Sequence, residues 1–158
     1  IVVVLGHRAE DIRNQLSSQQ VQFAINPDPT SEMSASIAAG VAMVPESAGA
    51  VIIALVDYPA IPSSVVSTLI AEWSKGYTLV KPTREGRGGH PVLVDLSFRT
   101  ELLSLDPDTG LKGLFDCHQA SVKRVEVPSP YIARDIDTWD DYRALYAEIF
   151  GEPAPEPA

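Results

Sequence analysis

Asp57 follows Val51–Val56, an unbroken apolar run, and is itself followed by Tyr58 and Pro59. An acid at the end of a buried strand sits at the rim of a sheet, and Pro59 fixes the chain as it leaves. One carboxylate with open coordination positions suits Mg²⁺, which keeps several waters and shares phosphate oxygens. The alternative is a turn or helix-capping aspartate. Asp135 and Asp137 flank Ile136 just ahead of a last helix. If a strand runs that far, alternation puts both on one side of it, where one of them can meet Asp57 across a cleft. Asp137-Thr138 before a helix is equally an ordinary capping arrangement.

Two more stretches carry polar chemistry. In Arg87-Gly88-Gly89-His90-Pro91, glycines let the backbone approach a ligand and offer N–H groups to an anion. Arg84 and Arg87 add charge, and His90 is a candidate acid or base. A plain hairpin loop explains the same residues. Asn26 precedes Met33-Ser34-Ala35-Ser36, small hydroxyl residues at a helix start that can hold a phosphate or a base edge. Simple N-capping by Ser34 is the competing reading. A P-loop, a Gly-x-Gly-x-x-Gly turn and a serine nucleophile elbow are all absent from the sequence, so ATPase, dehydrogenase and hydrolase readings have no motif behind them.

The elements that must position these residues alternate between strand and helix. Strands are expected at Ile1–Leu5, Val21–Ile25, Ala50–Val56, Thr78–Val80, Pro91–Val94, Val122–Val127 and Ile132–Ile136. Helices are expected at Ala9–Leu16, Met33–Val44, Ser63–Trp73, Phe98–Leu105, from Asp108-Thr109-Gly110 to about Cys117, and Thr138–Phe150. Asn26-Pro27-Asp28-Pro29 stops the second strand, and Glu85–Gly89 is a glycine- and charge-rich loop. Ile1–Leu5 and Ala50–Val56 are continuous apolar runs, the pattern of strands covered on both faces. This order predicts an α/β domain of three layers, with a mostly parallel sheet between helices on both faces. Residues 1–150 form that domain, and 151–158 a Pro/Ala/Glu-rich tail expected to be disordered. In such sheets ligands bind outside the carboxyl ends of the strands.

Composition narrows the partners. The 158 residues carry a formal net charge of −9, which argues against a nucleic-acid backbone as ligand. No apolar run approaches the ~20 residues of a membrane span, and Ile1–Leu5 is too short for a signal-peptide core, so the chain reads as cytoplasmic with no membrane partner. Cys117 is the only cysteine, which rules out an internal disulfide and disfavours a thiolate zinc site.

These stretches, in this order, resemble the MobA-like NTP transferase family, most closely its molybdenum cofactor cytidylyltransferase branch. The matching residues are Val2-Val3-Val4-Leu5-Gly6, Ile25-Asn26-Pro27-Asp28, Met33 to Gly40, Ala54-Leu55-Val56-Asp57-Tyr58-Pro59, Gly86 to Val92, and Asp135-Ile136-Asp137-Thr138. The resemblance implies a Rossmann-like nucleotidyltransferase that moves CMP or GMP from CTP or GTP to the phosphate of molybdopterin. It implies Mg²⁺ at Asp57 and Asp137, the nucleotide near Asn26, Ser34 and Ser36, and the acceptor beside Gly89, His90 and Pro91. It also implies a molybdoenzyme or chaperone as protein partner. Tyr58 stands where the family more often has Gln or Met. The family opens with a strand and a glycine-rich loop carrying Arg and Lys, and Ile1 matches the family's later strand, so a first βα unit is expected to be lacking. An unpaired edge at Val2–Leu5 or beside Val51–Val56 is then expected. Two other readings stay open: a non-catalytic nucleotide- or cofactor-binding or assembly module, and a transferase acting on a sugar phosphate or a terpenoid-precursor phosphate.

Overall fold

The computed structural model describes residues 1–28 and 30–156, so Pro29 of the expected stop and Pro157-Ala158 of the expected tail lie outside the described residues. Strands β1 (Val2–Leu5) and β2 (Gln22–Ile25) pair in parallel, Val2 opposite Gln22 and Leu5 opposite Ile25, with helix α1 (Ala9–Gln15) between them. A second sheet has the order β3 (Ala50–Ile53), β6 (Val92–Asp95), β4 (Leu79–Arg84), β7 (Val122–Glu126), and the two-residue β5 (Arg87–Gly88) folds back on β4. Strand β6 is antiparallel to both β3 and β4, and β7 is parallel to β4. Strands β3, β4 and β7 therefore point the same way, with β6 reversed among them.

Side-chain alternation in the central strands builds two cores. Leu79, Val92 and Val94 face α2 (Met33–Ala42), α4 (Arg99–Leu103) and α5 (Gly110–Cys117), meeting Ile37, Val41, Leu102, Leu111, Leu114 and Phe115. Val80 and Leu93 face the other way, onto Leu69 and Trp73 of α3 (Ser63–Trp73). Helices on both sides of the sheet give the three layers expected of the sequence. Helix α2 also crosses β1 closely: a Cβ on Gly40 would stand 2.8 Å from Val4 Cγ2. The Arg99 guanidinium closes the end of α2 by donating to the carbonyls of Val41 and Val44 at 3.1 and 2.6 Å.

Some expectations change. Ala50–Val56 forms a strand only to Ile53, and Val56 is 98% exposed. Among the described residues β3 pairs only with β6, and β1 only with β2. Both strands are thus edges, as expected at Val2–Leu5 or beside Val51–Val56, and are not covered by neighbouring strands on both sides; the residues of β1 and β3 are half-buried apart from Leu5. Ile132–Ile136 is not a strand. Ser129 accepts from the Tyr131 amide and Pro130 opens a 3₁₀ turn through Ala133, after which the chain is irregular to Thr138. Helix α6 (Trp139–Phe150) follows with a capping box between Thr138 and Asp141, and Glu152–Glu156 carry no helix or strand. Among the described residues no helix is long and apolar enough to cross a membrane.

Leu69 is fully buried between α3 and the sheet. Leu69→Ala is expected to cost about 2–5 kcal/mol, read as a lower urea midpoint at unchanged slope. A loss below about 1 kcal/mol would mean that α3 does not pack as described.

Candidate functional site

The register places one end of the large sheet at the chemistry. Ile53, the last residue of β3, lies opposite Val92, the first of antiparallel β6. The segment leaving β3 toward Asp57 and the segment Gly89-His90-Pro91 entering β6 therefore share a rim with the carboxyl ends of β4 and β7. This is the edge where open α/β sheets bind ligands.

A third segment ties the rim together. The His90 amide donates to the Ile132 carbonyl at 2.7 Å, and the Ile136 amide donates to the Asp57 carbonyl at 2.9 Å. Ile132 itself is fully buried against Val65 and Val127. The Tyr131 hydroxyl donates to Glu148 at 2.7 Å, and Arg134 pairs with the same carboxylate, fastening the segment to α6. Asp135 and Asp137 thus flank the residue bonded to Asp57, but on an irregular segment and not on the strand face expected for them. The backbone leaves no room at Gly89, where a Cβ would stand 2.0 Å from the Ile132 oxygen.

Asp137-Thr138 does open the helix as a capping arrangement, but the cap is Thr138: its partner in the box is Asp141, whose carboxylate accepts from the Thr138 amide at 2.9 Å, and the Asp137 side chain takes no part in the box. Asp57 is half-exposed and Asp135 and Asp137 are exposed, and among the described residues none of the three is paired with a cation. Their field is visible on Tyr58. Burial first, then Asp135, Asp57 and Asp137, hold its hydroxyl above the ordinary range. The Tyr58 ring packs at 5.3 Å, tilted by 50°, on the ring of His90. Burial, reinforced by Lys81 and opposed by Asp57, pushes the imidazole below its usual pKa, so the neutral form prevails at neutral pH. His90 Nδ1 is buried with no partner.

No group of three or more His, Cys, Asp or Glu side chains forms a metal cage among the described residues. Two or three solvent-facing carboxylates without counter-charges fit a cation of the Mg²⁺ kind shared with substrate phosphates, not a dedicated protein cage. The rim is open. A cavity of about 300 Å³ lined by Trp73, Tyr77 and Asp95 lies at the opposite end of β6 from His90. Its main polar groups satisfy each other, Trp73 Nε1 donating to Asp95 Oδ2 at 2.7 Å.

Asn26, Ser34 and Ser36 gather at the junction of β2 and α2. Asn26 is buried, and its amide nitrogen donates to Ser31 Oγ at 2.9 Å and Ser36 Oγ at 3.0 Å, while its oxygen accepts from the Asp28 amide at 3.1 Å. Ser34 is also buried. This cluster shapes the loop that enters α2, and its bonds are local. The turn at Ile132 and the packing of Tyr58 on His90 are the parts of the rim that the sequence pattern does not show. Ser129-Pro130, a cap followed by a proline at the first turn position, was the signal for a helical start there.

Comparison with known proteins gives the same class. The model of the MobA-like NTP transferase domain matches residues 1–124. The chain belongs to this family. A curated relative, named nicotine blue oxidoreductase, from Paenarthrobacter nicotinovorans, is 26% identical over 153 residues, covering 92% of this chain and 74% of the relative. The crystal structure of the homologue of Mycobacterium tuberculosis Rv0371c from Mycobacterium sp. strain JC1 is 26% identical, with a TM-score of 0.79 over 95% of this chain and 75% of that one. Rv0371c from Mycobacterium tuberculosis H37Rv, solved in complex with manganese, has the same fold at 22% identity, with a TM-score of 0.76 over 91% of this chain and 75% of that one. Nucleotidyl transfer is the reaction class that the family defines.

Gly89→Ala is expected to lengthen or break the His90–Ile132 bond and to cost about 1–3 kcal/mol by overpacking. Faster amide exchange at His90 and a lower denaturation midpoint check it; wild-type values for both would mean that the two segments are not stitched at this point. His90 supplies a second test. Its folded pKa lies below the unfolded value near 6.5, so the unfolded chain takes up the proton first. Stability at this site is complete above about pH 6.5 and is lost as pH falls toward the folded pKa. His90→Gln should flatten the stability–pH curve in that window, and an unaltered slope contradicts the burial assigned to the ring.

Proposed function

We propose that this protein transfers a nucleotidyl group from CTP or GTP to the phosphate of a molybdopterin-type acceptor, with a Mg²⁺-class cation held at Asp57 and Asp137. The observation that carries the reading is the backbone bond from Ile136 to Asp57, which brings carboxylates from distant parts of the chain to one rim with no cation of their own. An oxygen of the acceptor phosphate attacks the α-phosphorus; that P–O bond forms as the bond to the β-phosphate oxygen breaks, and pyrophosphate leaves. Such a transfer asks for positioning and charge neutralisation more than for a covalent nucleophile. A bound cation supplies Lewis acidity and a template for the phosphates.

The residues of this chain supply the rest. Asp57 and Asp137 bind the cation, and Asp135 adds its charge beside Tyr58. Gly89, His90 and Pro91 line the acceptor side. The start of α2 at Ser34 and Ser36 lies, by resemblance, on the nucleotide side, with Asn26 ordering the loop that enters the helix. By resemblance, the triphosphate is cradled by a glycine-rich strand and loop. The open apolar edges of β1 and β3 are where such a strand can pair, whatever polypeptide supplies it.

Calorimetry with Mg·CTP and Mg·GTP, joined to a pyrophosphate-release assay with molybdopterin, tests the reading. Asp57→Ala and Asp137→Ala are each expected to lower pyrophosphate release on the order of 100-fold with the fold intact by circular dichroism. Wild-type release in Asp57→Ala rules out the metal assignment. The relative named nicotine blue oxidoreductase supports one other outcome, an oxidoreductase on the same fold. That outcome would show as substrate reduction with no pyrophosphate formed.

A further inference from the structure

We propose that His90 presents a neutral Nε2–H group as a hydrogen-bond donor to a phosphate oxygen of the bound substrate, with the Tyr58 ring holding the imidazole in place. The proposal rests on the nucleotidyl-transfer reading of this rim and adds a role, a tautomer and a ligand chemistry for one residue in it.

The argument begins with the buried nitrogen. Nδ1 of His90 is shut away from solvent and meets no partner. A neutral imidazole carries one N–H and one bare nitrogen. Leaving a buried N–H unpaired is the more costly and rarer choice, so the bare nitrogen belongs at Nδ1 and the proton at Nε2. An imidazolium would put a donor at both nitrogens, one of them in a place with no acceptor, and burial with nearby Lys81 already disfavours the cation. The only lone pair of the ring is then turned into the protein. His90 cannot serve as a general base toward the rim, whereas its Nε2–H can serve as a donor.

The surroundings fix that donor. The His90 amide is bound to Ile132, the Gly89 amide donates to the Pro82 carbonyl at 3.1 Å, and Pro91 is fully buried, so the backbone is held on both sides. Tyr58 packs on the ring. Among the described residues no carboxylate accepts from His90, although Asp57 lies close enough to be felt by it. A neutral donor also suits its neighbours. Beside carboxylates that gather a divalent cation, an imidazolium would repel the metal, while an uncharged N–H bonds an anionic oxygen without doing so. Phosphate oxygens can come from the acceptor or from the nucleotide.

The test uses the whole protein with ¹⁵N-labelled histidine. Long-range proton–nitrogen spectra at neutral pH should show His90 with Nε2 protonated and Nδ1 not. Inorganic phosphate and Mg·CTP are then added separately. A shift of Nε2 with phosphate alone assigns the acceptor side, and a shift only with Mg·CTP assigns the nucleotide side; either supports the donor. In parallel, His90→Gln, which keeps an N–H near the Nε2 position, should bind the shifting probe within about threefold of wild type, and His90→Ala about tenfold more weakly. A proton on Nδ1, a cationic ring, an Nε2 signal unmoved by both probes, or His90→Gln as weak as His90→Ala overturns the proposal. Failure of Mg·CTP to bind anywhere, measured by calorimetry, overturns the reading of the rim itself, and it is distinguished from the first failure because the tautomer is read in the ligand-free protein.

Discussion

The rim depends on a short stretch of backbone, Pro130 to Asp137, bonded on two sides at once. Its Ile132 carbonyl takes the His90 amide and its Ile136 amide gives to the Asp57 carbonyl. These bonds join residues far apart in sequence, and each stabilises by only about 1 kcal/mol net. They hold because the Ile132 side chain is sunk between α3 and β7, and because Glu148 of α6 grips Tyr131 and Arg134 from outside. The backbone positions of Asp57, Asp135 and Asp137 follow from that anchor.

Electrostatics gives the arrangement its direction. Three carboxylates lie along one rim of a molecule already carrying a net charge of −9, with no lysine or arginine paired to any of them among the described residues. Their mutual repulsion is tolerable because they face solvent, where it is screened. It is relieved further by any divalent cation that arrives with a phosphate ligand, and a bound ion of that kind inverts the local field for an anionic substrate. A strongly acidic protein can thus bind a triphosphate without a broad basic surface.

Much of this was legible in residue types and spacing. Ser63–Trp73 is a helix with the expected bounds, because Pro62 and the apolar period Val66, Leu69, Ile70 and Trp73 leave little choice. Asp57 after an apolar run, and Gly89-His90 ahead of a strand, were both readable as rim residues. The two strongest apolar runs misled in one respect. Hydrophobicity says that a strand is meant to be covered, but not that β1 and β3 each have a partner on both edges in this chain. The segment after β7 misled in another. Ile132 and Ile136 look like alternating strand residues, yet Pro130 removes a donor and starts a turn, and the isoleucine then serves as an anchor. The union of His90, Ile132, Ile136 and Asp57 was not readable, because backbone bonds between distant segments leave no mark in local pattern.

Paramagnetic broadening by Mn²⁺ in the presence of CTP tests the convergence of carboxylates most directly. With substoichiometric Mn²⁺, amide signals of Asp57, Tyr58, His90 and residues 135–137 should broaden first and together, and added Mg²⁺ should restore them. Broadening that begins instead around Asp106 and Asp108, or that reaches Asp57 without residues 135–137, would contradict a shared cation site at this rim.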